Sequence, residues 1–243
     1  MLKKTGAIET LFAAKTAIRE IKGLKNIFLR GIFLNYLIFL FITLLLNIFF
    51  YFNILLPIIN WIFGFGEGLW ASLGSLVMWI IQLSFASIMT LISLRFSIEF
   101  LSFWNECLVN KVICNFRKIN EKNLAFKNFL NEIKYFFVEW LKACFLSILL
   151  LIIGLIPVLG LPIIFFLECH YLGKQSTLIY LESLNNPEEV KVLKKKWFFL
   201  TIRIGWLPSL LTFIPIIGWA LLPLILSYQV IGFAYIAEKS RGN

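Results

Sequence analysis

Residues 143–172 and 197–237 are apolar stretches long enough to cross a bilayer, yet each begins and ends beside basic residues. Each also breaks near its middle, at "LIPVLGLP" (Leu155–Pro162) and at "FIPIIGWALLP" (Phe213–Pro223). Both breaks carry Ile-Pro-x-x-Gly with a further proline behind it. Proline removes a backbone donor and clashes with the preceding helical turn, and glycine weakens a helix. The chain is 60% hydrophobic with a mean hydropathy of +0.87, more apolar surface than a soluble domain of this length carries. The class is therefore integral membrane protein.

The cations decide how these stretches enter the membrane. Lys and Arg number seven in residues 1–30, none in 57–68, eight in 95–142, five in 173–196 and two after 237. The excess of Lys and Arg on cytoplasmic segments places 57–68 outside and every other polar segment inside, both termini included. A single crossing by 143–172 or by 197–237 would carry one basic flank outside. Folding the first stretch at its break leaves two arms of about 14 residues, or ~20 Å of helix. That falls short of a hydrocarbon core roughly 30 Å thick. The expected solution is a re-entrant helical hairpin in each stretch, turning at Pro157 and Gly160 in the first and at Pro215 and Gly218 in the second. A straight span with a proline kink is the alternative. Backbone freed at such a turn must be buried in protein or face a wet cavity.

The rest of the chain supplies a single all-α membrane domain, 1–243. Residues 1–30 form a basic amphipathic segment in which Ile8, Leu11, Phe12 and Ile18 alternate with Lys15 and Arg19, as in a helix lying on a membrane surface. Spanning helices are expected at 31–56 and 69–94. The polar stretch 95–142 keeps helical spacing and extends the bundle into the cytoplasm. Asn35, Asn47 and Asn53 interrupt the first span and each needs a hydrogen-bond partner. Asn47, Gln82 and Asn105 are expected to join helices.

Several chemistries are excluded or disfavoured. All acidic residues are Glu, so no Asp pair exists, and no nucleotide loop, HExxH or Ser-His-Asp set is present. An enzyme is not expected, and neither is a cofactor. His170 is the single histidine and makes no metal cluster. Cys107, Cys114, Cys144 and Cys169 form no CxxC pair and are expected to pack as small free thiols. No cleavable signal peptide is expected. The net charge of +10 lies between apolar segments, where it orients a protein against anionic lipid; nucleic acid is not an expected partner. Glu168 and Arg203 are ionisable residues inside apolar runs, which makes them candidates for a pathway, a buried pair or a proton step.

Three stretches carry a family resemblance: "KGLKNIFLRGIFLNYL" (Lys22–Leu37), "LIPVLGLP" and "RIGWLPSLLTFIPIIGWALLPLIL" (Arg203–Leu226). With two long spans and two broken hairpins, the chain resembles the CysZ sulfate permeases, whose wider family includes eukaryotic etoposide-induced endoplasmic-reticulum proteins. The resemblance implies a permease or channel of the bacterial cytoplasmic (inner) membrane that takes up sulfate for cysteine biosynthesis. It implies that the oxyanion is held at the start of the first long helix, by Gly23, Leu24, Lys25 and Asn26. Backbone N–H groups at a helix start, a positive dipole end and a glycine that admits the ligand suit such an anion. Expected partners are the oxyanion, membrane lipid and further copies of the chain in a homo-oligomer. The family's arginine pair is replaced here by Lys25 and Asn26, its later proline by Arg30 or Gly31, and its closing Gly-Ala-Thr by "SYQVIG". A non-transporting scaffold or helper of the same fold is the second reading.

Overall fold

The computed structural model describes residues 5–57, 69–118, 137–138, 140–146, 149, 153, 159–183, 198–214 and 217–241. Every described element is helical: α1 (Ala7–Glu20), α2 (Leu24–Phe50), α3 (Leu69–Arg117), α4 (Gly160–Glu182), α5 (Phe198–Thr212) and α6 (Ile217–Arg241). A π-helical turn, Tyr51–Leu55, continues α2. The chain divides into two compact units, residues 1–35 with 98–243 and residues 36–97. The smaller unit holds the outer part of α2, where Leu40, Phe41, Leu44, Leu45, Ile48 and Phe49 are exposed. Its amides look inward along their own helix: Asn47 donates to the Thr43 carbonyl and Asn53 to the Phe49 carbonyl. The Asn47 amide nitrogen thus bonds within its own helix, to a carbonyl one turn back.

The larger unit is a bundle of α1, the start of α2, the end of α3, and α4 to α6. Two helices among the described residues are long and apolar enough to cross a membrane, Leu24–Asn53 and Ile217–Arg241. The expected first span begins at residue 31; the helix begins at Leu24. The chain leaves α1 through Ile21–Gly23 and turns on Gly23, whose φ of 84° suits a residue without a side chain. Residues 24–30 therefore belong to the long helix. Leu24, Phe28, Gly31, Ile32 and Asn35 recur at helical spacing and are buried, while Lys25, Asn26 and Arg30 sit on the exposed side. The second expected span, 69–94, forms the first part of α3, a 49-residue helix that runs on into the polar stretch to Arg117.

The apolar stretch 143–172 resumes as a helix at Gly160 after a turn at Leu159. Pro162 falls in the first turn of α4, where its missing N–H would have had no helical partner. Pro157 lies outside the described residues, as does Pro215. In the second stretch α5 and α6 fold back on each other. Gly218 lies against the Leu211 carbonyl and Gln229 bonds to Ile204, an antiparallel register on either side of the turn. The arms are unequal. Helix α5 has 15 residues, ~22 Å, close to a half-membrane arm, whereas α6 has 25 residues, ~38 Å, because Pro223 sits within it without ending it.

Glycine sets the closest approaches. A Cβ on Gly173 would lie 1.8 Å from the Thr201 carbonyl oxygen, and one on Gly205 would lie 1.8 Å from that of Cys169. Helices α4 and α5 thus cross backbone to backbone, antiparallel. Helix α1 meets α6 in the same way: Ala7, Thr10, Ala14 and Ala17 form its buried face, and Gly232 sits against the Thr10 carbonyl. Of the four free thiols, Cys114 and Cys169 are buried as expected of small apolar groups, while Cys107 is exposed.

Candidate functional site

The start of α2 is an open helix terminus. Leu24 N–H bonds to the Ile21 carbonyl, and the first helical bond runs from Ile27 N–H to the Gly23 carbonyl at 3.3 Å. Helix geometry leaves the Lys25 and Asn26 N–H groups between them pointing out of the terminus. Gly23, Lys25 and Asn26 are exposed, and a Cβ built on Gly23 meets nothing within 4 Å. Leu24 is fully buried and anchors the turn. Three of the four residues expected to hold an anion therefore share one accessible edge, and the fourth fixes it to the bundle.

This terminus is pinned to a line of polar groups within the bundle. Trp104 Nε1 donates to the Ile27 carbonyl at 2.7 Å, and its ring fills the space that Gly31 leaves free. Phe28 packs edge-on against Tyr228, with ring centroids 5.0 Å apart. The next residues along α3 and α6, Asn105 and Ser227, are buried and bonded to each other, Ser227 Oγ donating to Asn105 Oδ1 at 2.7 Å. Asn105 does join helices, as the sequence suggests.

Further polar contacts extend the line between α3, α4 and α6. The buried Glu99 carboxylate accepts from Tyr171 Oη and from Gln175 Nε2, both on α4. Ser176 Oγ donates to Gln229 Oε1 at 3.4 Å, and Gln229 Nε2 donates to the Ile204 carbonyl at 2.7 Å. That carbonyl lies four residues before Pro208, which has no N–H to give it, so the buried amide replaces the missing helical donor. Beyond these, Glu238 (5% exposed) accepts from Arg117 Nε at 3.0 Å and Nη2 at 2.7 Å, and from Tyr180 Oη at 2.8 Å. The Glu238 hydrogen bond raises the Arg117 pKa, and burial together with Glu238 pushes the Tyr180 phenol well above its ordinary value. Arg117 stays a cation and Tyr180 a neutral donor at any ordinary pH, so the clamp keeps its charges.

A cavity of about 10 Å³, room for about one water, lies among Ser102, Asn105, Gln175 and Ser176. Asn35, three turns along α2 from Leu24 on the same face, is 1% exposed with neither amide atom bonded.

The two residues expected to form a charge pathway differ in setting. Glu168 is 4% exposed on α4, whereas Arg203 is exposed on α5. Sequence reading missed Glu99, Gln175, Ser176, Ser227 and Gln229 as a set. Each lies in an apolar or amphipathic run that gives no sign of its partner, and the partners lie 53 to 122 residues apart. Among the described residues no group of His, Cys or Glu is placed to hold a metal ion.

Among the described residues, an all-helical bundle with two helices long and apolar enough to cross a membrane, the first of them bare of cover along its apolar side chains, is that of a helical membrane protein. The family model described as Sulfate transporter CysZ/Etoposide-induced protein 2.4 matches residues 13–223. The chain belongs to that family, and the match covers the open terminus and both proline-glycine breaks. Comparison with curated proteins and with solved structures gives no match.

Proposed function

We propose that this protein is a permease or channel for a small inorganic oxyanion, namely sulfate taken up across a bacterial inner membrane for cysteine biosynthesis. The observation that carries the reading is the position of the open α2 terminus. It offers N–H groups, the positive end of a helix dipole and Lys25 at one exposed edge, and it abuts the Asn105–Ser227 contact. Gly23, Leu24, Lys25 and Asn26 receive the anion. Lysine acts there as a point charge, without the two-pronged grip of arginine, so binding is weak and release is fast.

The anion moves along the polar seam as α3, α4 and α6 separate and is held at the terminus before its release on the cytoplasmic side. Asn105, Ser227, Ser176 and Gln175 replace part of its hydration. The proline-glycine turns act as re-entrant elements whose freed backbone faces this interior. The protein works without an enzymatic step or a cofactor, as a homo-oligomer with both termini in the cytoplasm.

Sulfate binding by the purified protein tests the site. Titration calorimetry on wild type, Lys25→Ala and Gly23→Val is expected to give binding for wild type and a roughly tenfold loss for each variant, equivalent to ~1.4 kcal/mol. Unchanged affinity in both variants would remove the terminus from the site.

A further inference from the structure

The face of α1 turned away from the bundle is a surface of one chemical kind. Its inner face is fastened to α6 by backbone contact at Gly232 and by the Tyr235 Oη donation to Glu20 Oε2 at 2.6 Å. Ile8, Phe12, Lys15 and Arg19 lie on the opposite side in a single stripe, at the i, i+4, i+7 and i+11 positions of the helix. All four are exposed, Ile8 by 56% and Phe12 by 67%. Lys22, Lys25 and Arg30 follow, also exposed. The acidic residues of this region are already engaged. Glu9 accepts from the Gly6 N–H at 2.9 Å and Glu20 from Tyr235. What remains presented outward is apolar at one end and cationic at the other.

The depth of this stripe follows from its anchor. Helix α6 is a candidate span whose charged end carries Lys239 and Arg241. Gly232 and Tyr235, where α1 is attached, lie seven and four residues before Lys239, or ~6–10 Å along the helix. That is the level at which an interfacial helix sits, with its apolar side chains at the edge of the acyl chains and its cations among headgroups.

We propose that the outer face of α1 is a docking surface for anionic phospholipid headgroups. Ile8 and Phe12 enter the acyl boundary, and Lys15, Arg19 and Lys22 hold the phosphates. The proposal does not depend on transport, and its readout is lipid retention rather than flux.

The test uses the full chain in detergent with added phosphatidylglycerol or phosphatidylcholine, following bound lipid by native mass spectrometry and unfolding temperature in parallel. Wild type is expected to retain several-fold more phosphatidylglycerol than phosphatidylcholine and to be stabilised by it. Lys15→Gln/Arg19→Gln/Lys22→Gln changes only exposed side chains and is expected to lose that preference, and Phe12→Ser to weaken it. Lys174→Gln, an exposed cation elsewhere, should leave it intact. Equal retention of both lipids by wild type, or an unchanged preference in the triple variant, would overturn the proposal. So would equal stabilisation by inorganic phosphate at matched charge, which would make the surface a site for free ions.

Discussion

The buried amide of Gln229 shows how one residue can depend on another far away in the chain. Pro208 leaves the Ile204 carbonyl without a helical donor, and Gln229, 25 residues on, supplies one from the facing helix. Gln229→Leu strands that carbonyl, and a buried acceptor left unpaired destabilises by ~1–3 kcal/mol. Pro208→Ala restores a backbone N–H, so the double variant should recover most of the loss. A double-mutant cycle on thermal or denaturant unfolding measures the coupling, and additive losses would refute the pairing. Gly31 is a second such dependence. A Cβ there would come within 1.7 Å of the Trp104 ring, so Gly31→Ala displaces the indole from the Ile27 carbonyl and loosens the open terminus beside it. The expected sign is a drop in stability, with altered Trp fluorescence. Neither dependence is legible in sequence: a lone Gln in an apolar run and a lone Gly in a helix carry no mark of their partners.

At the scale of the helix, the sequence is most legible where proline and glycine punctuate it. The break near Pro215 and Gly218 is a turn between antiparallel helices, and the run after Pro157 resumes as a helix at Gly160. The start of α2 was harder to read. Lys25, Asn26 and Arg30 resemble a surface segment until their exposed face is set beside the buried Leu24, Phe28 and Gly31. Pro223, the further proline of the second break, is accommodated inside α6. Helix crossings depend on small residues that hydropathy ignores. Gly173→Ala or Gly205→Ala places a methyl against a carbonyl of the facing helix and forces α4 and α5 apart. The expected loss is ~1–3 kcal/mol, read from the unfolding midpoint in detergent. The ends of α3, α4 and α6 are tied by Glu238. Glu238→Gln leaves Arg117 without its carboxylate and should cost ~3 kcal/mol. Tyr180→Phe removes one neutral hydrogen bond and should cost only ~1 kcal/mol.

For the whole molecule, the membrane class and the family are readable in the sequence, because apolar run length, charge distribution and the proline-glycine breaks are properties of the chain alone. The polar seam is a property of the fold, since it exists only once α3, α4 and α6 lie side by side. The residues proposed to hold the solute, Lys25 and Asn26 at the open terminus, bring one cation and one amide. The central claim is that an oxyanion passing along the seam is held at this terminus. Uptake of radiolabelled sulfate into proteoliposomes tests it most directly, comparing wild type with Lys25→Ala in vesicles of equal protein content. The account predicts sulfate flux in wild type that falls at least several-fold in the variant. Proteoliposomes of folded wild-type protein that pass no sulfate would contradict it.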